Sequence, residues 1–342
     1  MKIHAFSSTI RRKEMDAVLT CMVEEKIGPG EVNQRLTQYA KDFLGVDGVV
    51  ALRSPSLALK YILKALDFEP GTKIMISALA PSWQILTLED LGYEPLVLDV
   101  SIDTALVSPD SVHEGMKEGG RALILHETMG QVPDFDAFKE TGIPIIEDIS
   151  QNAGSSYKEK KCGSFGIYSI LGLEDTDILT SGGGALVMAP SRREWIVLKK
   201  YTDAAPSTDI LPDINGSLGF VQLKEFNRNE AIRKELYEMY IRSLMQGKHK
   251  SFSQASENSV RSVYSFPVVL SSGYKDVKAY ADRKEIEIVE AFSQSVIALR
   301  NESIEKCINA KSLCLRTALF PLYPRLGSAT AAKIAKVLAT LP

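Results

Sequence analysis

The sequence predicts an α/β fold with a mostly parallel sheet between helices. Helical and strand-like patterns alternate through the first half of the chain, as in consecutive βαβ units. The chain has 342 residues, 45% of them hydrophobic, which is enough for a large core in two domains. One apolar strand, predicted at 143–147, ends in acidic residues. Ligands of open α/β sheets bind at the carboxyl ends of the strands, so we expect a site there.

The chain begins with two predicted helices and the first strand. Residues 11–26 have apolar side chains at helical spacing, and Gly28-Pro29-Gly30 ends that helix. A second helix is predicted at 31–43, followed by a buried strand at 48–52. Ser54-Pro55 then begins an amphipathic helix, because serine is a good N-cap and proline is favoured at the first helical position. A polar turn between a strand and a helix N-terminus is a natural anion site.

The same alternation continues along the chain. Strands are predicted at 73–77, 94–99, 122–126, 143–147 and 184–188, and a helix at 192–201. A long charged helix at 223–245 changes the pattern, and the polar residues 247–261 predict a loop. A strand is predicted at 263–270, and helix and strand alternate to the end. We place the domain boundary within the long helix, with a large domain at 1–225 and a smaller α+β domain at 226–342.

Composition argues against several classes of protein. A net charge of −3 with scattered lysine and arginine gives no basic surface for nucleic acid. No run approaches the roughly 18 apolar residues of a membrane span. Residues 1–15 lack the apolar core of a signal peptide, so we expect a cytoplasmic protein without a membrane partner. The four cysteines form no CxxC pair and have no nearby histidine, which predicts free thiols rather than a metal site.

Asp148 and Gln151 are the first candidate site residues. They follow a buried strand, where a carboxylate can pair with the pyridine nitrogen of a heteroaromatic cofactor and an amide can bond its phenolic oxygen. A helix cap or a surface turn is the alternative. His126 ends another predicted strand and is a candidate for the substrate side of the same cleft, with a purely structural role as its alternative.

Two further features could complete such a site. Ser54, Pro55 and Ser56 could bind a phosphate through hydroxyls and helix N–H groups, although Pro55 has no N–H to donate. The alternative is that Ser54 is a simple N-cap. Trp83, between a strand and the next helix, could stack on a planar cofactor or pack in the interior.

Gly182-Gly183-Gly184 permits positive φ but lacks the helix pattern of a dinucleotide-binding fingerprint.

Together these features resemble one protein family over nearly the whole chain. The segments that carry the resemblance are Gly28-Pro29, the Ser54 turn, 92–100, His126 with Gly130-Gln131, 144–148, 163–166, 183–187, Gln222-Leu223 and 319–324. They are similar to the DegT-type sugar aminotransferases, which depend on pyridoxal phosphate (PLP). The resemblance implies the fold-type-I PLP-transferase fold and a family of enzymes acting on nucleotide-linked keto-sugars.

The resemblance also implies a role for each candidate residue. Asp148 would face the ring nitrogen of the cofactor and Gln151 its phenolic oxygen. Ser54 to Ser56 would stand at the phosphate, where the family has Ser-Gly-Thr, and Trp83 would stack on the ring. Because the family builds each active site at a two-fold interface, the resemblance implies a homodimer.

The catalytic lysine is the main departure from the family pattern. No lysine lies between Lys161 and Lys199, and the family lysine corresponds to Thr176 or Asp177. The histidine that some sugar-deoxygenating relatives have at this position is missing too. The lysine holds the cofactor as an imine and moves a proton, and neither a carboxylate nor a hydroxyl can form that imine.

Other departures also fall at positions that belong to the family's active site. Gly182 stands where the family has a glutamate. In the family, an asparagine and an arginine from one subunit reach the active site of its partner. Residues 208–211 contain neither of them, and residues 292–295 lack the small-domain histidine. Because a fold does not imply its usual function, these losses favour a family member without aminotransferase activity.

Three hypotheses follow. The first is a degenerate family member that has lost lysine-based transamination and acts as a binding or partner protein. It would form a homodimer or pair with an active paralogue. A nucleotide sugar is a possible ligand, and no cofactor is required. The second is an active aminotransferase or related enzyme of polysaccharide or antibiotic sugar biosynthesis, holding PLP or pyridoxamine phosphate (PMP) noncovalently. The third is a non-enzymatic partner in surface-glycan synthesis.

Overall fold

A computed structural model describes residues 2–300 and 304–342 of the chain. The helices are α1 (Arg12–Val23), α2 (Glu31–Leu44), α3 (Pro55–Leu66), α4 (Trp83–Asp90), α5 (Pro109–Lys117), α6 (Phe135–Glu140), α7 (Arg192–Asp203), α8 (Asp213–Lys224), α9 (Phe226–Leu244), α10 (Tyr274–Arg283), α11 (Val296–Leu299), α12 (Ile308–Arg316) and α13 (Ser328–Leu338). The strands are β1 (Gly48–Leu52), β2 (Lys73–Ser77), β3 (Glu94–Leu98), β4 (Gly120–His126), β5 (Ile145–Asp148), β6 (Ser156–Tyr157), β7 (Lys160–Lys161), β8 (Tyr168–Gly172), β9 (Ala185–Ala189), β10 (Ser259–Val260), β11 (Phe266–Val269), β12 (Val289–Glu290) and β13 (Thr317–Phe320).

Seven strands form the central sheet, in the order β1-β9-β8-β5-β4-β2-β3. Strand β9 is antiparallel to both of its neighbours, whereas the other pairs in the sheet are parallel. On β4, Leu123 and Leu125 belong to one buried core cluster and Ala122 and Ile124 to the other. Because successive strand residues point to opposite faces, both faces of the sheet are covered. The predicted α/β class with a mostly parallel sheet is confirmed.

A second, three-stranded antiparallel sheet lies in the last third of the chain, in the order β11-β13-β12. Its residues share a third core cluster with α9, α10 and α13. The two parts of the chain also contact each other, because β10 pairs with β6 and Ile3 forms a β-bridge to Ile286. The domain boundary near residue 225 stays a prediction.

The helix predicted at 223–245 corresponds to α9, and its first two residues belong to the end of a separate helix, α8, which precedes Glu225. Helix α8 was not predicted, because Gly216 and Gly219 lower the helix propensity of its sequence. Gly219 lies at a close packing contact, whereas the contact at Gly216 is an ordinary one. A Cβ on Gly216 would lie 3.6 Å from backbone atoms of Asn33, and one on Gly219 would lie 3.2 Å from the Cβ of Ser181.

Smaller differences concern strands. Strand β8 is a central strand that was not predicted, and β10 lies within the predicted 247–261 loop. The strand predicted at 263–270 is shorter, because only Phe266–Val269 pairs with β13. Within the described residues, no helix has the length and apolar character needed to cross a membrane.

Asp213 joins α8 to the beginning of α2. Gly30 precedes α2 and has no side chain to cap it, so the carboxylate of Asp213 serves instead: Oδ1 accepts hydrogen bonds from the N–H groups of Gly30 and Asn33, both at 2.9 Å, and Oδ2 accepts from Val32 at 3.1 Å. Asp213 is buried. A Cβ at position 30 would lie 2.8 Å from Asp213 Oδ2, which explains the glycine there.

We expect Asp213→Ala to lower the free energy of unfolding by about 3 kcal/mol, because three helix N–H groups lose a buried, charged acceptor. Asp110→Ala removes an exposed carboxylate from the first turn of α5 and should cost at most about 0.5 kcal/mol. Urea unfolding of both variants measures the difference. Equal costs would contradict this role for Asp213.

Candidate functional site

A cleft of about 610 Å³ opens at the carboxyl edge of the central sheet. Trp83 at the start of α4 and Gln151 after β5 line it on the sheet side, and Tyr264 and the segment around β12 line it from the last third of the chain. The charged side chains among its described lining residues are all carboxylates: Glu174, Asp175, Asp177 and Glu290. Among the lining residues that the structure describes there is no lysine, arginine or histidine.

Asp148 lies behind the wall of this cleft and is fully buried. Its Oδ1 accepts hydrogen bonds from the N–H of Ser150 at 3.1 Å and from the Ser150 hydroxyl at 2.6 Å. Its Oδ2 accepts from Gln84 Nε2 at 2.7 Å and lies 2.9 Å from His126 Nδ1. A carboxylate has about four lone-pair sites, so these contacts fill the acceptor capacity of Asp148.

The environment of Asp148 keeps it ionised. Burial alone would raise its pKa, but the charge and hydrogen bond of His126 and the two bonds from Ser150 outweigh burial, and the pKa lies below its ordinary value. Because an ionised carboxylate only accepts, His126 Nδ1 carries the proton in this pair. Two atoms beside the carboxylate, Gln84 Oε1 and His126 Nε2, are buried without a partner among the described residues.

The structure brings some of the predicted site residues to the cleft and leaves others behind it. Trp83 and Gln151 line the cleft, and Gln151 Oε1 accepts a hydrogen bond from the N–H of Met129 at 2.8 Å. His126 does not line the cleft, because its ring is buried against Asp148. The cofactor-binding and substrate roles of these residues stay predictions.

The Ser54 turn has the geometry of an ordinary helix start. Ser54 Oγ accepts a hydrogen bond from the N–H of Leu57 at 3.2 Å, and Pro55 occupies the first position of α3. Of the three predicted phosphate-binding residues, Pro55 lines the cleft, whereas Ser54 and Ser56 are absent from its wall. The serine hydroxyl therefore satisfies a helix N–H that a phosphate would otherwise contact.

Residues 174–177, where the family lysine was expected, form a tight turn on the cleft wall. Asp177 Oδ2 accepts a hydrogen bond from the N–H of Glu174 at 2.8 Å, and the N–H of Asp177 donates to the Glu174 carbonyl at 3.2 Å. The turn packs closely on β8, because a Cβ on Gly172 would lie 2.5 Å from Asp177 Oδ2. Burial, followed by repulsion from Asp148 and Glu174, raises the pKa of Asp177 to about 7.

A second buried carboxylate, Glu147, faces away from the cleft and organises the 163–166 loop. It accepts hydrogen bonds from the N–H groups of Gly163 and Phe165 at 2.7 Å and of Gly166 at 2.5 Å. Burial nevertheless raises its pKa. Neighbouring Glu127 has a strongly raised pKa, because it is buried and close to Glu147. The glycines of the loop have a structural reason: Gly163 has a φ of +92°, and a Cβ on Gly166 would lie 2.6 Å from the Ile145 carbonyl oxygen.

Sequence reasoning missed two residues of the site, Gln84 and Tyr264. Gln84 directly follows Trp83, but nothing in its local pattern indicates a partner 64 residues away. Tyr264 reaches the cleft from the segment before β11, and burial and repulsion from Asp177 raise its pKa. Only the packing of the last third of the chain against the sheet brings it there.

The chain has the fold of the fold-type-I PLP transferases. The features that define this class are the sheet order, the polar edge behind the cleft and the second sheet. The chain belongs to the DegT/DnrJ/EryC1/StrS aminotransferase family, whose model matches residues 8–339.

Several solved structures have the same fold. Spr1654 of Streptococcus pneumoniae, assigned as a sugar aminotransferase and solved in its PMP form, superposes with a TM-score of 0.90 at 17% identity, over 99% of this chain and 97% of that one. The aminotransferase TlmJ of Streptoalloteichus hindustanus gives 0.90 at 18% identity, over 99% and 98%. The dehydratase ColD, solved with bound GDP-perosamine, gives 0.86 at 16% identity, over 99% and 100%.

The raised pKa of Asp177 predicts a pH-dependent stability. The pKa is about 7 in the folded protein and 3.8 in the reference state, so folding favours the protonated carboxyl. This contribution is fully present below pH 4 and is lost as the pH rises to about 7 and above. Asp177→Asn retains an acceptor for the Glu174 N–H and cannot ionise. We expect it to raise the free energy of unfolding at pH 8 by roughly 1–2 kcal/mol, with a smaller gain at pH 5.

Urea unfolding at the two pH values measures this difference. Asp175→Asn is the matched control, because Asp175 is exposed on the same turn and its loss should change stability much less. A gain for Asp177→Asn that does not increase with pH would contradict the assigned pKa shift.

Proposed function

We propose that this chain is a family member without transaminase activity, acting as a binding or partner protein. The observation that carries the proposal is the lining of the cleft. Its described lining residues include four carboxylates and no cationic side chain, and Thr176 and Asp177 stand where the family lysine is expected. PLP brings a phosphate with a charge of about −2. Asp177, with its pKa of about 7, is partly protonated at neutral pH, but the other three carboxylates still repel that group. None of the lining side chains can form an imine.

The ring-nitrogen end of the site also fits the cofactor poorly. The Asp148 carboxylate already has four contacts, from Ser150, Gln84 and His126, and it does not line the cleft. A pyridinium N–H would have to displace the buried Gln84 amide to reach Oδ2. Such a displacement leaves a buried polar group without its partner, which costs about 1–3 kcal/mol.

The phosphate end lacks the usual anchors. Ser54 Oγ is engaged as the cap of α3, and Pro55 has no N–H. The helix N-terminus still attracts an anion weakly, but no lysine or arginine stands beside it on the wall of the cleft. We conclude that the described residues do not fit PLP or PMP, and we assign no catalytic step to them.

The proposal extends to pairing with a second subunit in the cytoplasm. Helix α1 exposes Met15, Leu19, Met22 and Val23, and Val23 is 82% exposed. Apolar side chains at this spacing on one helix favour contact with another protein. We propose that the partner is a second copy of this chain or an active paralogue, and that the pair serves polysaccharide or antibiotic sugar biosynthesis. A nucleotide-sugar ligand would have to keep its diphosphate away from the carboxylates.

A second candidate function is catalysis with a noncovalently held cofactor. The observation that favours it is the presence of Trp83 and Gln151 on the same wall, in front of the Asp148–His126 pair. Spr1654 has been solved in both PLP and PMP forms. In this candidate the cofactor would supply an electron sink, with Asp148 facing the ring nitrogen and Trp83 its face.

Titration with PLP separates the two candidates. For the binding or partner protein we expect no aldimine absorbance, no saturable quenching of the Trp83 fluorescence, and no single borohydride-stable adduct by peptide mass mapping. Trp83→Phe identifies the signal of Trp83 against that of Trp195. Saturable quenching that Asp148→Ala abolishes would favour the noncovalent enzyme. A stoichiometric adduct on one lysine would contradict the loss of lysine chemistry.

Asp177→Lys is the positive control for this titration. It places an amine on the cleft wall and removes one carboxylate, so we expect at least tenfold tighter PLP binding and a borohydride-stable adduct at position 177. Asp175→Lys makes the same change of charge at the exposed neighbour. It should give a weaker effect, because that side chain is more exposed.

A further inference from the structure

A second cavity lies at the opposite edge of the central sheet. It has a volume of about 470 Å³ and reaches Ile145, the first residue of β5, whereas the cleft described above begins beyond the last residue of that strand. Its size is within the range of small-molecule sites. None of the residues that line it lines the first cleft.

The floor of this cavity is flat and apolar. The rings of Phe135 and Phe165 stack with centroids 4.1 Å apart and an interplanar angle of 12°, and Tyr157 packs edge-on against both. Ile143 and Ile167 extend the apolar surface and are only half-buried. Phe135 and Tyr157 are themselves buried, so the half-buried Phe165 ring, with Ile143 and Ile167, is the accessible part of the floor. A surface of this kind favours a planar apolar group.

The floor is held rigidly from behind. Glu147 accepts hydrogen bonds from the N–H groups of Phe165 and Gly166, and this fixes the loop that carries the Phe165 ring. The Tyr157 hydroxyl donates to Asp134 at 2.8 Å and contacts Asp136 at 3.0 Å. The site is therefore preorganised, and a ligand would not have to order its wall.

The rim carries positive charge that Asp136 compensates only in part, since the hydrogen bond from Lys158 and the charges of Lys158 and Lys139 all lower the pKa of that carboxyl. Lys139, Lys158 and Lys160 surround the opening, and Asp136 is the carboxylate among the described lining residues. Lys158 forms an ion pair with Asp136. Neither Lys139 nor Lys160 forms an ion pair or side-chain hydrogen bond with a residue in the described part of the chain. Two ammonium groups thus remain available to an anion.

We propose that this cavity is a binding site for a small organic anion with a flat apolar part, an aromatic phosphate or carboxylate, which packs on the half-buried Phe165 ring and contacts Lys139 and Lys160. The proposal is independent of the function assigned to the first cleft. The carboxylates of that cleft exclude the anions that this rim attracts, so the two sites differ in the charge of their ligands.

Isothermal titration of the full chain with naphthyl phosphate, naphthoate and the uncharged naphthylmethanol tests the proposal. We expect one saturable site for the two anions, with the phosphate binding more tightly because it has the larger charge, and at least tenfold weaker binding of naphthylmethanol. Binding of neither anion, or equal binding of naphthylmethanol, would overturn the proposal.

The double variant Lys139→Glu and Lys160→Glu should weaken naphthyl phosphate binding about tenfold or more. Its matched control, Lys250→Glu with Lys275→Glu, makes the same change of net charge at exposed positions outside the cavity and should stay within twofold of the wild type. All four lysines are exposed, so folding should be retained, which circular dichroism checks. Equal affinities in the two double variants would contradict the assigned site.

Discussion

The buried carboxylate of Asp148 is the interaction on which the architecture around the cleft depends. It connects α4 through Gln84, the end of β4 through His126, and β8 through Ser150, whose hydroxyl oxygen also accepts from the N–H of Gly172 at 2.9 Å. Removing it would leave several buried donors without a partner. Asp148 therefore has a structural reason to persist that is independent of any cofactor, and its presence in the sequence is weak evidence for catalysis.

The adjacent residues Glu147 and Asp148 stabilise the structure on the two opposite faces of β5. Because successive strand side chains point to opposite faces, Glu147 holds the 163–166 loop while Asp148 faces the region behind the cleft. The family fold is thus retained through its buried polar contacts. The cleft surface, which carries the chemistry in such folds, has carboxylates at Glu174, Asp175, Asp177 and Glu290.

The sequence predicts those parts of the fold that depend on local apolar patterns. Strands β1 and β2 and the start of α3 at Pro55 match the predicted positions, because runs of apolar residues and a Ser-Pro cap are local signals. Helix α8 was missed, because its two glycines lower its helix propensity and the close packing of Ser181 against Gly219 is a long-range contact. The helix cap supplied by Asp213 was missed for the same reason, since its partners lie about 180 residues earlier.

The candidate site is only partly predictable from the sequence. Asp148, Gln151 and Trp83 were located because they follow predicted strands, where the ends of parallel strands meet. The bond from Gln84 to Asp148 and the approach of Tyr264 to the cleft depend on long-range packing, and no local pattern encodes them. The net charge of the cleft depends in the same way on which loops meet there.

We propose that the Gln84–Asp148 bond and the acidic cleft exclude the family's cofactor. A crystal structure of the protein grown with excess PMP tests it most directly, because PMP needs no lysine to bind. We expect that Gln84 Nε2 stays bonded to Asp148 Oδ2 and that the cleft contains no ordered PMP. A PMP ring stacked on Trp83, with its nitrogen on Asp148 and Gln84 displaced, would contradict it.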